Sequence, residues 1–390
     1  MRLRIRAQRL WDGKAGWNEP AEVLVEGDRI LETRKVAGDD RTSAEAQDFG
    51  DATILPGLVD MHTHLGINHA TGDIREQMRD APVRHILAGA ASLRDDLRSG
   101  VTTAKLNGDR DHYDIQMRDA IRERRADGPQ LIVSGKGIKS SRCTGGVVAT
   151  CIADDPAAVG RGADASIAAG ADWVKLFASG SVFGPLAEVL QPFYGLEALA
   201  VAVHKAHAAG KRVSVHCFGG EAADACIQAG VDVIDHGWLL SERQLERMAG
   251  AKIWLCPTVG VLAHPHGVLA HVQGQSALDA GRKRVDEVLA VERRAVQMGV
   301  SLLAGTDAMH GCLPYELEVL QDLGAKPQDL LAAATSRAGL ALGREGSVGV
   351  IEKGGRADLL VVRGNALEDV RRLSQPLLVM QAGRVVRSES

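Results

Sequence analysis

Pro56-Gly-Leu-Val-Asp-Met-His-Thr-His-Leu-Gly66 is the stretch on which the reading of this chain turns. An apolar run of strand length ends in His62-Thr-His64. Side chains two apart on a strand project to the same face, so the two imidazoles converge. Alone, such a pair is as consistent with packing as with chemistry. Its weight comes from four groups further along, each at or near the end of a β-like run. They are Lys175 in Asp172-Trp-Val-Lys-Leu-Phe, His216 in Val213-Ser-Val-His-Cys-Phe, His236 in Val233-Ile-Asp-His-Gly-Trp and Asp307 in Leu303-Ala-Gly-Thr-Asp-Ala.

Those runs belong to a series of eight candidate strands: Gly57–Leu65, Gly100–Gly108, Gln130–Gly137, Asp172–Ser179, Arg212–Phe218, Val231–Gly237, Lys252–Thr258 and Ser301–Asp307. Helix-like segments lie between them, several closed by a glycine just before the next strand, as in Ile227-Gln-Ala-Gly-Val. Eight strand–helix units over 57–347 predict an α/β fold, a (β/α)₈ TIM barrel. A doubly wound open sheet is the competing arrangement. In a barrel the C-terminal strand ends meet at one mouth, and all six groups would share it. Both termini instead alternate as short strands, Leu3–Leu10, Ala21–Val25 and Arg29–Thr33 at one end, Asp358–Val362, Leu377–Met380 and Arg384–Val386 at the other. They predict one small β-sandwich domain assembled from 1–56 plus 348–390.

The chemistry fits the residue types. Neutral imidazole and carboxylate suit zinc and neighbouring divalent ions. An ammonium at Lys175, among Trp, Val, Leu and Phe, is costly to bury unpaired. Between two cations a lysine is biased toward its neutral amine, which adds CO₂ to give a carbamate whose oxygens bridge two ions roughly 3.5–4 Å apart.

Composition narrows the rest. The chain has 390 residues, 45% hydrophobic and 25% charged, with a net charge of -4. That balance argues against a nucleic-acid partner, and no apolar run is long enough to span a membrane. The first residues lack the apolar core of a signal peptide. Six cysteines without a CxxC pair read as reduced thiols in a cytoplasmic protein. The expected partner is a small-molecule substrate, and homo-oligomerisation is left open.

In the order of its motifs the chain resembles the amidohydrolase superfamily, in the branch of imidazolonepropionase-like proteins and Xaa-Pro dipeptidases. The likeness runs from Ile54-Leu-Pro-Gly-Leu-Val-Asp-Met-His-Thr-His through Gly100-Val-Thr-Thr, Val174-Lys-Leu-Phe-Ala-Ser-Gly, Ala229-Gly-Val-Asp-Val-Ile-Asp-His-Gly and Ala304-Gly-Thr-Asp-Ala to Gly354-Gly-Arg-Ala-Asp-Leu-Leu-Val-Val. The resemblance implies that His62, His64 and Asp307 bind one ion, His216 and His236 the other, and that carboxylated Lys175 bridges them. It implies a hydrolase of an amide-type C–N bond, in an N-acyl amino acid or dipeptide-like substrate. A metal-bridging hydroxide would attack, with Asp307 as general base and then acid. A cyclic amide, carbamate, lactone or ester would suit the same centre.

Two positions depart from the branch. Val147 stands where many relatives carry the histidine of a Gly-Gly-His-Gly stretch, and Phe218 where some carry a tyrosine. These two, and His310 in the loop after Asp307, are the candidate substrate contacts. A mononuclear deaminase is the enzymatic rival. Gly219, where such deaminases place a glutamate, and Lys175 both count against it. A non-enzymatic barrel would be expected to have lost ligands.

Overall fold

The computed structural model describes residues 2–36, 46–146, 148–181, 186–272 and 274–388. Seven parallel barrel strands are Leu58–Thr63, Val101–Leu106, Gln130–Val133, Trp173–Phe177, Arg212–Gly219, Val233–Leu239 and Trp254–Cys256. They pair in chain order. The third and fourth are joined where Asp172 N donates to Val133 O at 2.7 Å. The expected eighth strand makes no regular ladder: its one bridge joins Leu302 to Leu255. It still closes the ring, because Leu303 N donates to Leu255 O and Met61 N to Ala304 O, both at 2.8 Å. The ladder fails because Thr306 N and Asp307 N both turn onto His62 O, at 3.0 and 2.7 Å. Gly305 permits that approach, since a Cβ there would lie 2.7 Å from His62 Cβ and 2.6 Å from Cys256 Sγ.

Burial on both faces explains why these strands read as near-continuous apolar runs. Val213 and Val215 are wholly buried, and each contributes on the order of 1.5–3 kcal/mol by leaving water. The outer helices follow from local signals. Asp155 caps Pro156–Ala168 by accepting from Ala158 N at 2.7 Å. Ser241 and Gln244 form a capping box on Glu242–Ala251. Gly230, at φ 74°, closes Gly220–Ala229 in the left-handed conformation.

The two ends of the chain pair with each other. Leu359–Arg363 runs antiparallel to Ala52–Pro56 in a six-stranded sheet. A four-stranded sheet of Arg2–Ala7, Ala21–Glu26, Arg29–Lys35 and Ala46–Asp48 completes this small sheet domain. Ile5, Val23, Ile54, Val361 and Leu378 form its own core. Ala52–Pro56 passes through Gly57 directly into the first barrel strand, so the sheets anchor the strand that carries His62 and His64. Among the described residues no helix is long and apolar enough to cross a membrane.

Candidate active site

One cavity at the C-terminal strand ends is lined by His62, His64, Lys175, His216, His236 and Asp307. Its volume is about 40 Å³, room for a few water- or ion-sized occupants. His62 and His64 enter it together, as their spacing requires. Asp307 arrives from the far side, because Asp307 and Ala308 take φ of 48° and 66° and fold the chain back over the first strand. Its Oδ1 stands 3.3 Å from both His62 Nε2 and His64 Nε2. Ligand atoms of these three residues all lie within 4.8 Å of one another.

His216 and His236 form the other half, with ring centroids 4.6 Å apart, and His236 is 4.9 Å from the His62 ring. Each has one ring nitrogen tied down: His216 Nε2 lies 2.8 Å from Gly180 O, and His236 Nδ1 lies 2.8 Å from Thr258 Oγ1. His64 Nδ1 likewise meets Gly108 O at 3.1 Å. The opposite nitrogen of each ring is then the one presented as a bare donor, the arrangement that metal-binding histidines adopt. His236 and Thr258 hold this contact at φ of 74° and 52°, a backbone cost of order 1–3 kcal/mol each that concentrates at functional sites.

Protonation states agree with that donor set. Burial, reinforced by Lys175, pushes His216 down to about 3. Burial and then His216 hold His236 well below its usual value, so both rings are neutral. Burial would raise Asp307, yet its close contacts with His62 and His64 hold it well below the usual carboxylate range. Neutral imidazole and ionised carboxylate are the forms a divalent ion requires, so His216, His236 and Asp307 fit one. His62, lowered by burial but held above its usual value by Asp235, must give up its proton to join them. A second group, His62, Asp235 and Cys256, is as close-set, but burial and then Asp235 drive the Cys256 thiol well above its usual value. A thiol that keeps its proton is a poor ligand.

Lys175 is wholly buried and ion-paired with Asp235. Asp235 Oδ1 also lies 3.0 Å from His62 Nδ1. Beneath them Lys105 Nζ donates to Ser214 Oγ and Ser214 Oγ to Asp235 Oδ2, both at 3.0 Å. Burial pushes Lys105 down to about 8. Asp60 accepts from Thr306 Oγ1 at 2.6 Å and from His62 N at 2.9 Å, tying the first strand to the eighth position. Sequence reasoning passed over Asp60, Lys105 and Asp235. Asp60 stands two residues before His62, and Lys105 is a charge within an apolar strand, so both carried the signals that singled out His62 and Lys175.

Of the candidate substrate contacts, Phe218 lines the cavity and stacks on Trp238 at 4.7 Å. His310 does not reach it: Nδ1 faces Asp96 Oδ2 at 2.7 Å and Nε2 faces Ile67 O at 3.1 Å, deep under the loop. Both nitrogens are committed to protein partners, through which His310 braces these loops. Val147 lies outside the described residues, flanked by Gly146 and Val148, which do line the cavity. His69, unforeseen in the sequence, lines it too. Its pKa is driven down to about 4 by burial.

Residues 53–386 match the model of the amidohydrolase family. The chain belongs to that family. It is an amidohydrolase, a hydrolase acting on C–N bonds. It is 30% identical over 403 residues to an uncharacterized protein of Mycobacterium tuberculosis, covering 98% of this chain and 97% of that one. It is 25% identical over 362 residues to the ochratoxinase of Aspergillus niger, 84% of this chain and 73% of the other. Its fold matches the crystal structure of a Xaa-Pro dipeptidase with bound methionine, with a TM-score of 0.86 at 24% identity over 99% of both chains.

Proposed function

We propose that this amidohydrolase cleaves an amide-type C–N bond in a small substrate, with two divalent ions, zinc first among them, held at the barrel mouth. The observation that carries the reading is the set of six side chains on one cavity, three of whose rings are each tethered through one nitrogen. His62, His64 and Asp307 would hold one ion and His216 and His236 the other, with Lys175, carboxylated, between them. When bound, such ions supply a nucleophilic water at neutral pH and polarise the scissile carbonyl. Asp307, ionised and at the mouth, takes the proton of the attacking water and returns it to the leaving nitrogen. Asp235 pairs the Lys175 ammonium before carboxylation, keeping that side chain buried beside the ligands.

The catalytic unit is the barrel, 57–347, with 1–56 and 348–390 as its supporting domain. The six cysteines are free thiols, which suits a reducing cytoplasm. An N-acyl amino acid or dipeptide-like amide is the substrate that the resemblance favours. Asp307→Asn tests the reading: kcat for a cleaved amide should fall about 1,000-fold or more with KM little changed. Unchanged kcat in that variant would remove Asp307 from the chemistry.

A further inference from the structure

The cavity wall that is not made of ligands has a chemistry of its own. Ile67, Ile74, Val148, Phe177, Phe218 and Trp238 line it, and each is at most 8% exposed. The aromatic members are set in order: Phe177 stacks on His216 at 4.8 Å and Phe218 on Trp238 at 4.7 Å, with interplanar angles of 18° and 17°. Trp238 is pinned there by its indole N–H, which donates to Pro257 O at 2.7 Å. Polar relief comes from His69, Ser181 and the backbone of Gly145 and Gly146.

Among the described residues lining this cavity, Lys175 is the sole lysine or arginine, and it faces Asp235. Cations on the neighbouring loops are turned onto backbone carbonyls. Lys139 Nζ donates to Gly146 O at 3.0 Å, Arg142 to Phe193 O at 3.0 Å and Arg110 to Met78 O at 2.8 Å. A carboxylate brought against this wall, away from the proposed ions, would lose its water and meet no lysine or arginine of the described lining, which is unfavourable. The cavity as it stands holds only a few water-sized occupants. An aromatic or branched alkyl group must therefore shift the loop residues Ile67, Ile74 and Val148 to gain by leaving water and by offset contact with the Phe218–Trp238 pair.

We infer that the substrate offers an uncharged apolar group, aryl or branched alkyl, to the Phe218–Trp238 wall and carries no free carboxylate on the part that meets this wall. This rests on the hydrolase reading above and narrows it away from N-acyl amino acids and dipeptides whose carboxylate would lie against that wall. The step itself is ordinary hydrolysis: water adds to the acyl carbon, the C–N bond breaks, and the amine leaves with a proton.

A matched pair isolates the charge. N-acetylphenethylamine and N-acetylphenylalanine share the same acetamide and benzyl group and differ only in the α-carboxylate. Turnover of both by zinc-loaded protein, and their binding followed by tryptophan fluorescence with Trp238→Phe as the control, give two independent readouts. The neutral member should be favoured at least about 100-fold in kcat/KM and should bind more tightly. Ile74→Arg, which places a cation at the wall from the loop helix Ile74–Gln77, should close most of that gap. Preference for the carboxylate, or equal binding of the two, overturns this inference and leaves the hydrolase reading intact. Tighter binding of the neutral member with no turnover of any amide by loaded protein upholds the wall and sinks the hydrolase reading instead.

Discussion

The two sides of the cavity are built differently. On the side of the proposed metal ligands, four histidines at strand ends are cross-braced: His64 to Gly108 O, His216 to Gly180 O, His236 to Thr258 Oγ1 and His62 to the Asp235–Lys175 pair. On the substrate side much of the wall comes from connecting loops, with Ile67, Ile74, Gly146 and Val148 lying between strands. The short helices there rest on single caps, Asn68 for His69–Thr71 and Asp73 for Ile74–Gln77. On the proposed assignment the chemistry sits on the rigid scaffold and the specificity on segments that tolerate change. Members of one family can therefore keep a metal centre and replace the substrate wall.

The sharpest way to break this contrast is to cut one brace. Thr258→Val removes the acceptor for His236 Nδ1 and should weaken metal affinity about 10–100-fold, measured by competition with a chelator. An unchanged affinity would mean the tether does not orient the ring. Glu316 probes the layer behind. Its carboxyl accepts from the Val259 and Gly260 amides just beyond Thr258, and burial pushes it up to about 8 from the ordinary 4.5. Between those two values the folded chain keeps a proton that the unfolded chain releases, so this group lowers stability as pH rises from about 4.5 to about 8. Glu316→Gln should therefore raise Tm more at pH 8 than at pH 5, and parallel melting profiles would contradict that. The smallest effect belongs to the substrate side. Val148→Ala should leave metal content unchanged and cost about 1 kcal/mol or less of stability, while changing kcat/KM several-fold for any cleaved amide. A loss of metal in that variant would erase the distinction between the two sides.

The same contrast decides what was legible in the sequence. The barrel and the paired ends followed from strand periodicity and turn signals, and His62 with His64 from a spacing of two. Asp235 escaped because alternation puts it and His236 on opposite faces. The left-handed backbone at His236, φ 74°, breaks that alternation and brings both inward. The eighth strand was legible as a position but not as a ladder, because the close approach at Gly305 is a tertiary contact. His310 read as a substrate contact from its place in a mouth loop. Its partner Asp96, on the helix Pro82–Arg98, is distant in sequence and left no local trace.

Metal content per chain, by elemental analysis of wild type and Lys175→Ala purified in parallel, tests the central claim most directly. The account predicts about two ions in the wild type and a sharp fall in the variant, restored by neither added zinc nor bicarbonate. One ion or none in the wild type, indifferent to Lys175, would contradict the bridged centre.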